Sequence, residues 1–173
     1  MPRPQQLQAR IRWVTGLFIA GLFMSGATAI PLLTEVNFLV NSGLGGGASE
    51  LAQWLLRVRD ALAQTQTAHP FLFYGTDWLA FGHFMIALVF VGAVRDPVRN
   101  RWLFDYGLIT CALLLPYALI FGELRGIPFW WRLVDCSFGV FGAIPLWFCR
   151  RWTIALEQSA PPPQRAVSRP SHS

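Results

Sequence analysis

The sequence predicts an all-α integral membrane protein: a four-transmembrane-helix bundle with an extra amphipathic helix in its first outer loop. Three observations predict it. Of 173 residues, 54% are hydrophobic and only 13% are charged. The apolar residues are clumped into runs of roughly 20, the length needed to cross the hydrocarbon core. The runs cover about 13–33, 77–94, 97–122 and 128–149. Finally, the cations are placed asymmetrically. Every basic residue is arginine, and the net charge is +5. Arg3, Arg10 and Arg12 precede the first run, Arg95, Arg99 and Arg101 flank the second connection, and Arg150, Arg151, Arg165 and Arg169 follow the last. The other side holds only Arg57, Arg59 and Arg125, with Arg132 just inside the membrane. This positive-inside pattern places both termini in the cytoplasm. It also argues against nucleic acid as a partner, which calls for a basic stripe on one folded surface.

In chain order, residues 1–12 form a cytoplasmic N-terminus and the first span follows. Its basic start and "ATA" at 27–29 also fit a secretory signal cleaved after Ala29. The apolar run continues to Leu33, longer than a usual signal core, which favours a retained span. The outer loop passes through "NSGLGGGAS" into a helix over about 49–65 that Ser49 can cap. Leu51, Leu55, Val58 and Leu62 share one face of it, with Glu50, Gln53, Arg57, Asp60 and Gln64 on the others. Such a helix lies on the outer membrane surface, folds over the bundle as a lid, or simply fills the loop.

In "VRDPVRN", Asp96 is placed to cap a helix starting at Pro97, making spans two and three an antiparallel hairpin. Asp105 sits one turn after Arg101, spaced for an i, i+4 ion pair. Pro116 and Pro145 fall mid-span, where each removes a backbone hydrogen bond. After Trp152 the chain turns polar and proline-rich, so 153–173 is expected to be a disordered cytoplasmic tail. Cys111, Cys136 and Cys149 all fall within spans without a CxxC spacing, which suits packing better than a disulfide or metal; no metal or cofactor is expected.

Charges inside "RGIPFWWRLVDCSFG" are the main functional signal. At 1.5 Å per residue, Arg132 lies about 6 Å and Asp135 about 10 Å below the outer boundary. His83 is about 9 Å down, and Tyr117 is at a similar level. An unpaired charge near the bilayer centre costs roughly 3 kcal/mol, so these groups should face inward and find partners. Arg132 and Asp135, at i and i+3, can pair directly, and His83 shares a small-residue stripe with Ala80 and Ala87. The expectation is an outward-opening polar pocket drawn from Asp77, His83, Tyr117, Glu123, Arg125, Arg132 and Asp135. Each member also has a structural reading: Asp77 as a helix-start residue, His83 as a hydrogen-bonded core histidine, Glu123 and Arg125 as loop charges, and Arg132 with Asp135 as a helix-joining pair.

Together, "YGTDWLAFGH", "RDPVRN" and "RGIPFWWRLVDCSFGVFGAIPL", with a weaker echo in "SGATAIPLLTE", resemble a family of small, uncharacterised bacterial four-span inner-membrane proteins. The resemblance covers about 70–147. It implies that location and topology and carries no activity or site residues. A single intramembrane histidine cannot supply the two axial ligands of a membrane haem. Two functions remain open. One is a non-catalytic binding or accessory protein whose pocket holds a small amphiphile or a partner membrane protein. The other is a membrane enzyme or proton-coupled carrier using His83 with Asp77 or Asp135.

Overall fold

The computed structural model describes residues 3–159, and all regular structure among them is helical. In order come α1 (Pro4–Thr28), α2 (Leu32–Leu39), a π-helical turn (Val40–Leu44), α3 (Glu50–Ala68), a 3-10 turn (Pro70–Phe73), α4 (Tyr74–Arg95), α5 (Arg101–Leu124) and α6 (Phe129–Gln158). Four helices, α1, α4 with its preceding 3-10 turn, α5 and α6, are long and apolar enough to cross a membrane. The chain divides into two compact units. One holds residues 1–15 and 93–173, the other 16–92.

In the first unit α5 and α6 form an antiparallel hairpin. Its turn is set by local chemistry. Gly126 adopts φ +67°, open to glycine but strained for other residues. That lets Ile127 N–H reach the Gly122 carbonyl at 2.9 Å and Gly126 N–H the Glu123 carbonyl at 3.0 Å, the paired bonds of a Schellman cap. Pro128 then ends any continuation of α5. Leu103, Phe104 and Gly107 of α5 are buried, as are Cys136, Gly139, Leu146, Cys149 and Thr153 of α6. The helices approach closely at Gly139, where a Cβ would stand 2.8 Å from the Cys111 carbonyl and 2.9 Å from Leu115 Cδ1. The start of α1 joins this unit through the i, i+4, i+8 stripe Leu7, Ile11 and Thr15, all buried. Thr15 Oγ1 lies 3.6 Å from Cys149 Sγ, and Arg12 Nε donates to the Val94 carbonyl at 3.1 Å.

In the second unit the later part of α1 packs on α4. Phe18 meets Phe90 and Phe23 meets Phe84, with ring centroids 5.0 and 4.8 Å apart. Gly26 is buried where a Cβ would collide with the Ala80 carbonyl, His83 Cβ and Phe84 Cε1. Ser49 caps α3 by accepting from Ala52 N–H at 3.2 Å. The buried face of α3 centres on Ala52 and Leu55; Leu51, Val58 and Leu62 are half-buried. Removing the cap in Ser49→Ala orphans an amide and should cost about 1 kcal/mol. Amide exchange should speed up over the first turn of α3 and nowhere else.

The observed ends differ from expectation for identifiable reasons. α1 starts at Pro4 rather than near residue 13, because Leu7 and Ile11 have a surface to pack on. It stops at Thr28 rather than 33, since Pro31 lacks an N–H and biases Ile30 away from helix. α5 starts at Arg101, not Pro97: Asp96 Oδ1 accepts from Arg99 N–H at 3.0 Å and so caps the turn at 97–100 instead of the helix. α6 runs to Gln158, so residues 153–158 of the expected tail are helical, with Thr153 buried and Glu157 paired to Arg101 at 2.7 Å. The rest of that tail, 160–173, lies outside the described residues.

Candidate functional site

Gly122 sits in the last turn of α5, and its missing side chain leaves a notch that the Arg132 stem of α6 fills. A Cβ at Gly122 would stand 2.5 Å from Arg132 Cδ and 2.6 Å from Cγ. Laid in this notch, the Arg132 side chain is only 13% exposed, and its guanidinium reaches the end of α5. There Nη1 pairs with Glu123 Oε2 and donates to the Leu119 carbonyl at 3.3 Å. Both partners suit a cation, because the C-terminal end of a helix carries partial negative charge. The guanidinium carbon also stands 5.3 Å from the centroid of the Phe129 ring, within cation–π range. Nε is buried without a hydrogen-bond partner among the described residues. Glu123 keeps a side chain 71% exposed.

This arrangement corrects the expected pairing of Arg132 with Asp135. Spacing of i, i+3 permits that pair, but the Gly122 notch draws the arginine across to α5. Asp135, one turn further along α6, is half-buried and makes no ion pair with a described residue. Tyr117 is exposed and stacks on Phe121 at a centroid distance of 4.4 Å. Arg125 is exposed in the turn. The structure therefore joins Glu123 to Arg132 directly and places Asp135 one turn from them.

Asp77 and His83 belong to the second unit, on α4. His83 is half-buried, and its Nδ1 lies 2.8 Å from the Leu79 carbonyl one turn back. That carbonyl can only accept, so Nδ1 carries the proton in this bond. Asp77 is exposed in the first turn. Six residues separate the two, which puts them on faces about 120° apart around α4. Asp77, Tyr74, Trp78 and Phe81 line a shallow recess of about 250 Å³.

At the opposite end of the α5–α6 hairpin, two ion pairs cross between the helices. Arg101 Nη1 meets Glu157 Oε2 at 2.7 Å, and Arg150 Nε meets Asp105 Oδ1. The expected Arg101–Asp105 pair along α5 is not formed, since each residue finds a partner on α6. Between the two charged ends an apolar groove of about 580 Å³ runs along the hairpin, lined by Leu108, Cys111, Leu115, Gly139, Ala143 and Trp147 among others. Among the described residues no three His, Cys, Asp or Glu side chains come together as a metal-binding group.

Comparison of the chain with protein-family models, curated proteins and solved structures finds no match. Gly122 was the residue whose role sequence reasoning missed. Its one signal is its place beside Glu123 and four residues before Gly126, ten residues from an arginine that needs a partner.

Proposed function

We propose that the chain is a multi-pass protein of a bacterial inner membrane, with cytoplasmic termini, acting as a non-catalytic binding or accessory protein. Its polar cluster at the outer end of α5 and α6 receives a small amphiphile or a partner's transmembrane helix. The membrane assignment is supported by four long apolar helices and by large apolar side chains left exposed along them, such as Leu113 and Phe141. It is supported further by the arginine asymmetry, and the motif resemblance points the same way. Retention of α1 is supported by Ile11 and Thr15, which pack beside Cys149.

One observation carries the binding role. Arg132 is committed to Glu123, which leaves the Asp135 carboxylate half-buried and, among the described residues, without an ionic partner inside an otherwise apolar segment. A group held this way favours a ligand that brings a donor or a positive charge. The enzyme or proton-carrier alternative draws less support, because His83 Nδ1 is taken by its own helix and Asp77 lies on another face.

Reporter fusions at both termini and at residue 46 test the topology. A fluorescent protein should fold at either terminus, and alkaline phosphatase should be active only at the outer position. Native mass spectrometry tests the binding role. Wild-type protein should retain a non-covalent adduct that Asp135→Asn loses while staying resistant to carbonate extraction. Identical spectra would refute the role.

A further inference from the structure

We propose that the first two turns of α4 form a binding site for an organic ammonium group, built from Tyr74, Asp77, Trp78 and Phe81. These positions fall at i, i+3, i+4 and i+7 and so share one face of the helix. The Trp78 ring stands nearly at right angles to both of the other rings. Tyr74 and Trp78 have centroids 5.9 Å apart and planes at 88°, while Trp78 and Phe81 are 5.6 Å apart at 85°. Packed edge to face, the rings line a recess of about 250 Å³ together with Asp77. Tyr74, Trp78 and Phe81 are 62%, 56% and 48% exposed, so their faces are open to an incoming group.

The chemistry of the walls selects the occupant. An aromatic face carries negative quadrupole charge and attracts a cation, most strongly at tryptophan. Asp77 adds a full negative charge to the same recess and forms no ion pair with a described residue. A single carboxylate among rings is a poor cage for a bare metal ion, which needs several oxygen ligands. A methylated or primary ammonium needs only one counter-charge and apolar walls for its carbon atoms. Two sources share that chemistry: the headgroup of an amine-bearing phospholipid and a free amine such as choline. The site lies within one helix. Only its access to lipid headgroups, at the outer end of a spanning α4, rests on the membrane assignment proposed above.

The full chain, purified in maltoside micelles, is titrated with choline and with its neutral isostere 3,3-dimethylbutanol by saturation-transfer-difference NMR. Saturable binding of choline and not of the isostere is expected. Trp78→Leu and Asp77→Asn should each weaken it about tenfold, and Phe138→Leu, an exposed ring on α6, should leave it unchanged. Equal binding of the isostere, or wild-type binding by both variants, overturns the site and leaves the rings as interface anchors. Far-UV circular dichroism confirms that each variant is folded, and Phe81→Leu replaces any that is not. In nanodiscs, loss of choline binding when phosphatidylethanolamine accompanies phosphatidylglycerol identifies a lipid headgroup as the occupant, and unchanged binding identifies a free amine. Carbonate extraction of the same cells separates the two proposals. A released chain refutes the membrane assignment, whereas a resistant chain that ignores ammonium refutes only this site.

Discussion

Gly139→Leu should separate α5 from α6 and lower stability by about 3 kcal/mol, at the upper end of overpacking costs. The reason is the kind of atom in the way. A Cβ at Gly139 meets the Cys111 carbonyl at 2.8 Å and Leu115 Cδ1 at 2.9 Å. Leu115 can change rotamer, but the carbonyl belongs to the backbone of α5 and moves only if the helix moves. Leucine adds three further carbons in the same direction. Gly139→Ala is the graded control, losing less because it introduces the Cβ contacts without leucine's further carbons, with higher helix propensity offsetting part of the loss. Unfolding in mixed dodecyl sulfate and maltoside micelles, followed by near-UV circular dichroism, measures both. Equal stability of Gly139→Leu and wild type would show that the hairpin is not in contact at this point.

Reversing the charge of the buried arginine, Arg132→Glu, should cost roughly 2–3 kcal/mol. Three changes act together: the cation that serves the Leu119 carbonyl is lost, a carboxylate faces Glu123, and the stem filling the Gly122 notch is shortened. The figure lies below that for a fully buried pair because Glu123 is well exposed and water screens its side of the interaction. The exchange Arg132→Glu with Glu123→Arg should recover about half of the loss. It restores attraction, but the arginine stem no longer lies over Gly122. Arg132→Gln should fall between wild type and the reversal. If the double exchange is no better than the single reversal in the same unfolding assay, the pair is not a direct one. A pair that rescues fully would instead show that packing on Gly122 contributes nothing.

The four long helices and their approximate positions were legible in the residues because they depend on local quantities, whereas α2 at Leu32–Leu39 was not expected. A run of roughly 20 apolar residues and a serine before a helical pattern are signals contained within a few turns. α3 and α4 follow from such signals. Boundaries moved where a distant surface intervened. Leu7 and Ile11 extend α1 back to Pro4, and Thr153 and Glu157 carry α6 past the point where composition turns polar.

The candidate site was legible as a set of unusual residues but not as a set of contacts. Arg132 and Asp135 stood out because charge is rare in apolar runs, and both pairs expected from spacing, Arg132–Asp135 and Arg101–Asp105, gave way to partners on a neighbouring helix. The difference has one physical source. Spacing along a helix says which side chains share a face, yet an ion pair forms where two helices come closest. That approach is set by side chains that are absent, as at Gly122 and Gly139, and by which faces then meet. The amino-acid order alone determined four long apolar helices and the asymmetry of their arginines. Only the tertiary structure decided that Arg132 serves Glu123 and that Asp135 is left without an ionic partner among the described residues, because the free energy of a charge depends on its neighbours in space.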